Sequence, residues 1–241
     1  MGTQPFGAED VALEAADVAP AADAAPAAPA REDGIEIAVA RKSLPFYLIV
    51  SFFFLVTSIS SFSMHIPKHV ENLGFDTVFA GSVMSLYMIG VLVASLLLGY
   101  LVDALGVKRT AILTMCIAMV AVLLIIFGGT NTLIIKLAVA MLAVVGASIT
   151  IIGPALVSAL FGKRDYALVY SNASLGLGIA SIVALPAHGF VYDAVGSYVP
   201  VLWMIVAMLV INVVCILIAF NSQKKMVADG LWITESAEVS A

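Results

Sequence analysis

Gly99-Tyr100-Leu101-Val102-Asp103-Ala104-Leu105-Gly106 recurs, 90 residues later, as Gly189-Phe190-Val191-Tyr192-Asp193-Ala194-Val195-Gly196. Both glycines, the aspartate and the alanine are identical, and the aromatic and two aliphatic positions change conservatively. Either stretch alone reads as a helix end, with Gly in the left-handed region and Asp as a cap for the next helix. Recurrence after equivalent segments carries more information, because it relates one part of the chain to another.

Those segments are long apolar runs, at about 46–64, 78–99, 110–128, 134–160, 168–187 and 199–220. Each is close to or above the roughly 20 residues that a helix needs to cross about 30 Å of hydrocarbon. Five contain no charged residue, and the fourth contains only Lys136. Without water, backbone N–H and C=O groups must be satisfied within the segment, so these runs are expected to be helices. A barrel would need short stretches of alternating polarity, which are not seen. A soluble core would need six helices apolar on every face. The first copy of the repeat follows the second run, and the second copy follows the fifth. Three runs separate equivalent points, so the copies are expected at opposite membrane faces. The expected fold is all-α and integral to the membrane, with six transmembrane helices as a 3+3 inverted repeat. Such repeats are an architecture of many secondary transporters.

Composition agrees. Of 241 residues, 62% are hydrophobic and 11% charged, against roughly 45–50% and 25% in soluble domains. A net charge of -5 with no basic stripe excludes a nucleic-acid partner. Two cysteines, Cys116 and Cys215, both in apolar runs, make no disulfide framework and read as small packing residues. Residues 1–43 are rich in Ala and Pro and hold 8 of the 16 carboxylates. They read as a disordered acidic tail rather than a signal peptide. The expected division is therefore tail 1–43, bundle 44–222 and C-terminal tail 223–241. Of the 11 Lys and Arg residues, 9 fall on the side of the termini and 2, Lys68 and Lys136, on the other. That bias puts both termini in the cytoplasm, in the plasma membrane.

The first copy continues through Val107 to Lys108 and Arg109. It resembles the loop signature of the major facilitator superfamily: Gly, three residues, Asp, a basic residue, any residue, Gly, then basic residues. It departs at Ala104 and Val107. A finer resemblance, to the monocarboxylate and oxalate–formate branch, rests on Phe161-Gly162-Lys163-Arg164 and on 189–198, which continue through Ser197-Tyr198. Oxalate carriers place basic residues in helices equivalent to runs two and five, which hold none here; this speaks against oxalate and leaves small organic anions such as monocarboxylates. The resemblance covers about residues 44–222 and implies the C-terminal half of a twelve-helix carrier, with the acidic tail as the loop between halves. It implies that Gly99, Asp103, Gly106, Lys108 and Arg109 form a latch against a first half on the cytoplasmic side. Gly189, Asp193 and Gly196 are the outer copy. Gly99 is expected to permit close helix approach and Gly106 a tight turn.

The interior offers little chemistry, with no Asp or Glu inside a run. Candidates for a solute cavity are Tyr87 and Asn172, then Ser58, Ser85 and Ser174, with Ser60 and Ser61 beside them; helix packing is the alternative use of such small polar residues. Lys136 is either an anion ligand or a side chain snorkelling to the interface. Gly153-Pro154, Gly176, Gly178 and Pro186 are candidate flex points. His65, His69 and His188, at or just outside span ends on the outer side, read as interface or loop histidines, with neither metal-ligand spacing nor a metal or cofactor implied.

An intramembrane serine protease is the rival enzyme reading. Gly146-Ala147-Ser148 offers a nucleophile, but Ile149 follows it, the sixth run has no His, and no H-E-x-x-H occurs. An enzyme is rejected. The remaining readings are a carrier half needing a second six-helix half, a homodimer, or a truncated or accessory membrane protein. Met1 followed by a linker-like stretch favours a split or truncated gene.

Overall fold

Six helical spans, Leu44–Asn72, Thr77–Leu105, Val107–Phe127, Thr132–Phe161, Tyr166–Val195 and Val199–Ala228, are long and apolar enough to cross a bilayer. They make up most of residues 33–232, the part of the chain that the computed structural model describes. The elements are α1 (Ile37–Ala40), α2 (Leu44–Ser61), a 3-10 turn (Phe62–His65), α3 (Ile66–Asn72), α4 (Thr77–Leu105), α5 (Val107–Phe127), α6 (Thr132–Phe161), α7 (Tyr166–Ala173), α8 (Leu175–Val195) and α9 (Val199–Ala228). Span one comprises α2, the turn and α3. Span five comprises α7 and α8, interrupted at Ser174.

Local sequence sets the ends. The Asp76 carboxylate accepts from Phe79 N at 2.9 Å, and Asn131 Oδ1 accepts from Leu133 N and Ile134 N at 3.0 and 3.2 Å, capping spans two and four. The two closing glycines of the repeat make the same bond at positive φ, with ψ 154° at Gly106 and 13° at Gly196. Gly106 has φ +82° and donates to Val102 O at 3.0 Å; Gly196 has φ +72° and donates to Tyr192 O at 2.7 Å. Positions 102 and 192 are themselves repeat equivalents, so both copies end a helix with the same bond.

Packing follows the inverted repeat. Exchanging spans one with four, two with five and three with six turns each main pairing into another that is present. Span two packs on four as five packs on one, and three packs on four as six packs on one. Pairs one–four and three–six map onto themselves, and two–three has its counterpart in five–six. Spans one and four are thus central. Lipid tails are as apolar as Leu, so contact here relies on close fit at small residues. Gly153 of span four lies against the Phe53 ring of span one, and Gly176 of span five against Val50 O of span one. A methyl group on Gly90 of span two would lie 2.8 Å from Ala143 Cβ of span four. Gly99 is different: no described atom lies within 4 Å of where its Cβ would be, so within this chain it mediates no close approach. Gly178 is equally open. Cys116 is exposed on span three rather than packed, whereas Cys215 is buried.

Spans two and five are the least covered, with 11% and 28% of their apolar windows buried, against 39% to 50% in the other four. These two are repeat equivalents.

Residues 1–32 of the expected tail lie outside the described residues. Its remainder is seated on the bundle. Gly34 forms an isolated antiparallel bridge with Gly162, Ile35 N donates to Phe161 O at 3.0 Å, and Lys163 N donates to Asp33 O at 2.8 Å. Ile35 is fully buried. At the other end, α9 continues through Ala228, beyond the expected boundary at 222; residues 233–241 lie outside the described residues.

Candidate functional site

Where spans one, two and four meet, two hydroxyl groups converge on a glycine. Tyr87 of span two is 4% exposed. A methyl group on Gly146 of span four would lie 3.1 Å from the Tyr87 hydroxyl oxygen and 3.7 Å from Ser60 Oγ of span one. Gly146 therefore leaves room for a large phenol, and the two hydroxyls can both donate to and accept from a polar ligand there. Tyr87, expected for a cavity, is the candidate that the structure brings to an interhelical junction together with Ser60; Gly146 was not foreseen in this role.

The other expected cavity residues stand elsewhere. Ser58 is 1% exposed and donates to Phe54 O at 2.8 Å on its own helix. Ser61 donates to Ser58 O at 2.7 Å. Ser85 is exposed and donates to Gly81 O at 3.1 Å. Ser174 donates to Ser171 O at 2.9 Å at the interruption of span five. Asn172 lies in the first turns of that span, where its Nδ2 donates to Leu168 O and its Oδ1 accepts from Arg41 Nη2, both at 2.6 Å. Lys136 places Nζ 5.2 Å from the centre of the Phe79 ring, in the first turn of span two. That is a cation–π contact near the helix ends, in keeping with the snorkelling alternative.

At the loop signature, Gly106 alone separates spans two and three. Asp103 and Arg109 are exposed. Lys108 Nζ lies 5.6 Å from the Phe220 ring centre of span six. Thr110 Oγ1 is placed to donate to Leu101 O at 2.9 Å or Gly106 O at 3.1 Å, tying the turn to span two. In the opposite copy, Asp193 is exposed. Tyr192 stacks on Tyr198 with centroids 4.3 Å apart and accepts from Asn72 Nδ2 at 2.9 Å. Burial holds the Tyr198 phenol above its ordinary value, with Tyr192 and Asp193 adding to the effect.

On the face that carries the described terminal segments, an open cleft of ≈ 700 Å³ is lined by Pro154 and Ser158 of span four and by Lys163, Arg164, Asp165 and Tyr166. Sequence reasoning did not anticipate Asp165, whose Oδ2 accepts from Ile37 N at 2.8 Å. The structure also gathers the histidines, which nothing in their spacing showed. His65, His69 and His188 are gathered around Phe62 and Tyr198, and His69 and His188 are 8% and 1% exposed. Among the described residues, no group of three or more His, Cys, Asp or Glu side chains is arranged to hold a metal ion. Ser148 is fully buried and donates to Val145 O at 2.7 Å within its own helix.

Fold and site define a multi-pass integral membrane protein built as an inverted repeat of two three-helix units. Residues 19–232 match the family model of the Major Facilitator Superfamily, and the chain belongs to that family. It is a family of membrane transporters, not of enzymes. Comparison with curated proteins gives no match.

Proposed function

We propose that the chain is half of a secondary active carrier that moves a small organic anion, such as a monocarboxylate, by alternating access. The observation that carries the carrier-half reading is the pairing of exposure with symmetry. Spans two and five are equivalent in the repeat and are the two least covered. A second six-helix half, or a second copy of this chain, would cover both at once, and Asp103 would face that half as the latch signature implies. The Tyr87–Ser60–Gly146 junction is the solute contact, with hydroxyl donors suited to a carboxylate. Lys163 and Arg164 at the cleft favour anions at the membrane surface. The motif at 161–164 and the outer copy at 189–198 support the monocarboxylate branch. The charge bias supports an orientation with both termini cytoplasmic.

Reconstitution in liposomes with a panel of labelled monocarboxylates tests this, with and without a co-expressed six-helix partner. Uptake only with the partner supports the split carrier. Uptake alone, with a dimeric native mass, supports the homodimer. No uptake in either case leaves a truncated or accessory membrane protein.

A further inference from the structure

We propose that the cleft at the root of span five binds the phosphate of an anionic phospholipid. The proposal stands on the membrane fold and does not use the carrier reading.

The donors for a phosphate converge on the cleft, and none of them is spent. Lys163 is exposed and Arg164 half-buried, and both line it. Neither cation has an ion-pair partner among the described residues. The first turn of α7 adds backbone donors. Asp165 stands at its N-cap but makes no side-chain capping bond, because its Oδ2 accepts from Ile37 N at 2.8 Å instead. Tyr166 N reaches back to Lys163 O at 3.3 Å, and Val169 N to Asp165 O at 3.0 Å. Between them, the N–H groups of Ala167 and Leu168 are left without a hydrogen-bond partner among the described residues. Ala167 and Leu168 both line the cleft. Free N–H groups in a first helical turn favour a phosphate, and the planar guanidinium of Arg164 can offer it two parallel N–H donors. Ser158 and Tyr166 add hydroxyls to the lining. Two cations against the single Asp165 carboxylate leave that lining net positive.

The apolar part of the cleft points to a lipid rather than a free anion. Pro154 and Ala155 of span four lie about 10 Å short of its end at Phe161, counted at about 1.5 Å per residue. The wall therefore descends from a charged rim toward the hydrocarbon. Leu168 stands opposite them at 54% exposure. Such a wall offers a small hydrated anion nothing, whereas an acyl chain covers it and removes apolar surface from water. Basic pockets between helices at a membrane face are suited to phospholipid headgroups.

The test uses the full chain in phosphatidylcholine nanodiscs, with and without a minority of phosphatidylglycerol. Phosphatidylglycerol should slow hydrogen exchange at Ala167 and Leu168 at least fivefold, and native mass spectrometry should show one such lipid retained per chain. Lys163→Ala with Arg164→Ala should weaken retention at least tenfold. Ala155→Phe keeps both charges and fills the apolar wall, and should weaken it at least fivefold. Lys224→Ala with Lys225→Ala removes the same charge at the same end of the bundle, where Gln223 Nε2 donates to Ala159 O at 2.9 Å; retention there should stay within twofold. Thermal unfolding in phosphatidylcholine alone checks that each variant is folded, and the exchange of the unmodified chain decides where one is not. Exchange that phosphatidylglycerol leaves unchanged, retention that survives both cleft variants, or an equal loss in the Lys224 and Lys225 control overturns the site. Inorganic phosphate or lactate that slows exchange in phosphatidylcholine alone as much as phosphatidylglycerol does would make the cleft a port for soluble anions and overturn the lipid assignment. No arm reads solute uptake, so failure of the carrier reading leaves this result standing.

Discussion

The backbone N–H of Ile37 donates to the Asp165 carboxylate at 2.8 Å, although 128 residues separate the two. Glu36, at the N-cap of α1, makes no side-chain capping bond. Asp165 does that work from the loop between spans four and five. Asp165→Ala should therefore cost about 1 kcal/mol and free residues 35–41 first. Hydrogen exchange should rise there while protection within the spans is kept. Unchanged exchange at 35–41 would show that the contact does not hold the segment.

Gly176 and Gly178 lie on the same span but meet different surroundings. A methyl group at 176 meets Val50 O of span one, whereas one at 178 meets nothing within 4 Å. Gly176→Ala should cost about 1–3 kcal/mol in thermal unfolding in detergent. Gly178→Ala should stay within about 0.5 kcal/mol. Equal losses would refute the close approach of spans one and five.

Gly106 and Gly196 both have positive φ and close the same bond to repeat-equivalent carbonyls. Gly196→Ala, in the left-handed helical region, should cost about 1–2 kcal/mol, and Gly106→Ala, whose ψ of 154° lies in a region essentially confined to glycine, about 1–3 kcal/mol. A loss at only one end, measured by thermal unfolding, would mean that the two helix ends are not energetically equivalent.

Tyr87→Phe keeps the ring that fills the space beside Gly146 and removes the hydroxyl. Unfolding should move by no more than about 1 kcal/mol, while carboxylate uptake with the partner half should fall about tenfold, the worth of one directed hydrogen bond. Uptake equal to that of the unmodified chain would remove Tyr87 from the solute path.

Lys136 rests on the Phe79 ring. Lys136→Gln should then cost about 0.5–1 kcal/mol of stability and alter carboxylate KM less than twofold. A KM rise of tenfold or more would restore Lys136 as an anion ligand.

The six spans and their inverted order were legible because the bilayer leaves an apolar run few options and because 99–106 and 189–196 repeat. Which face of each helix meets which neighbour was not. These helices are apolar on nearly every side, so periodicity does not distinguish the buried Ser58 from the exposed Ser85. The junction at Gly146 depends on three helices and shows only in space. Asn172 looked like an interior polar residue, and its partner Arg41 lies 131 positions away in what read as tail. The same holds for the histidines: two stand four residues apart, but the third joins them only when span five packs on span one.

The short segment ahead of span one crosses the repeat. It is covalently continuous with the first triplet and fastened, through Gly34–Gly162, Ile37–Asp165 and Arg41–Asn172, to the second. A pull along the chain ahead of Asp33 is thus shared between both triplets at their roots. Whatever lies upstream acts on a stapled pair, and motion confined to span one alone would first have to tear the staple out.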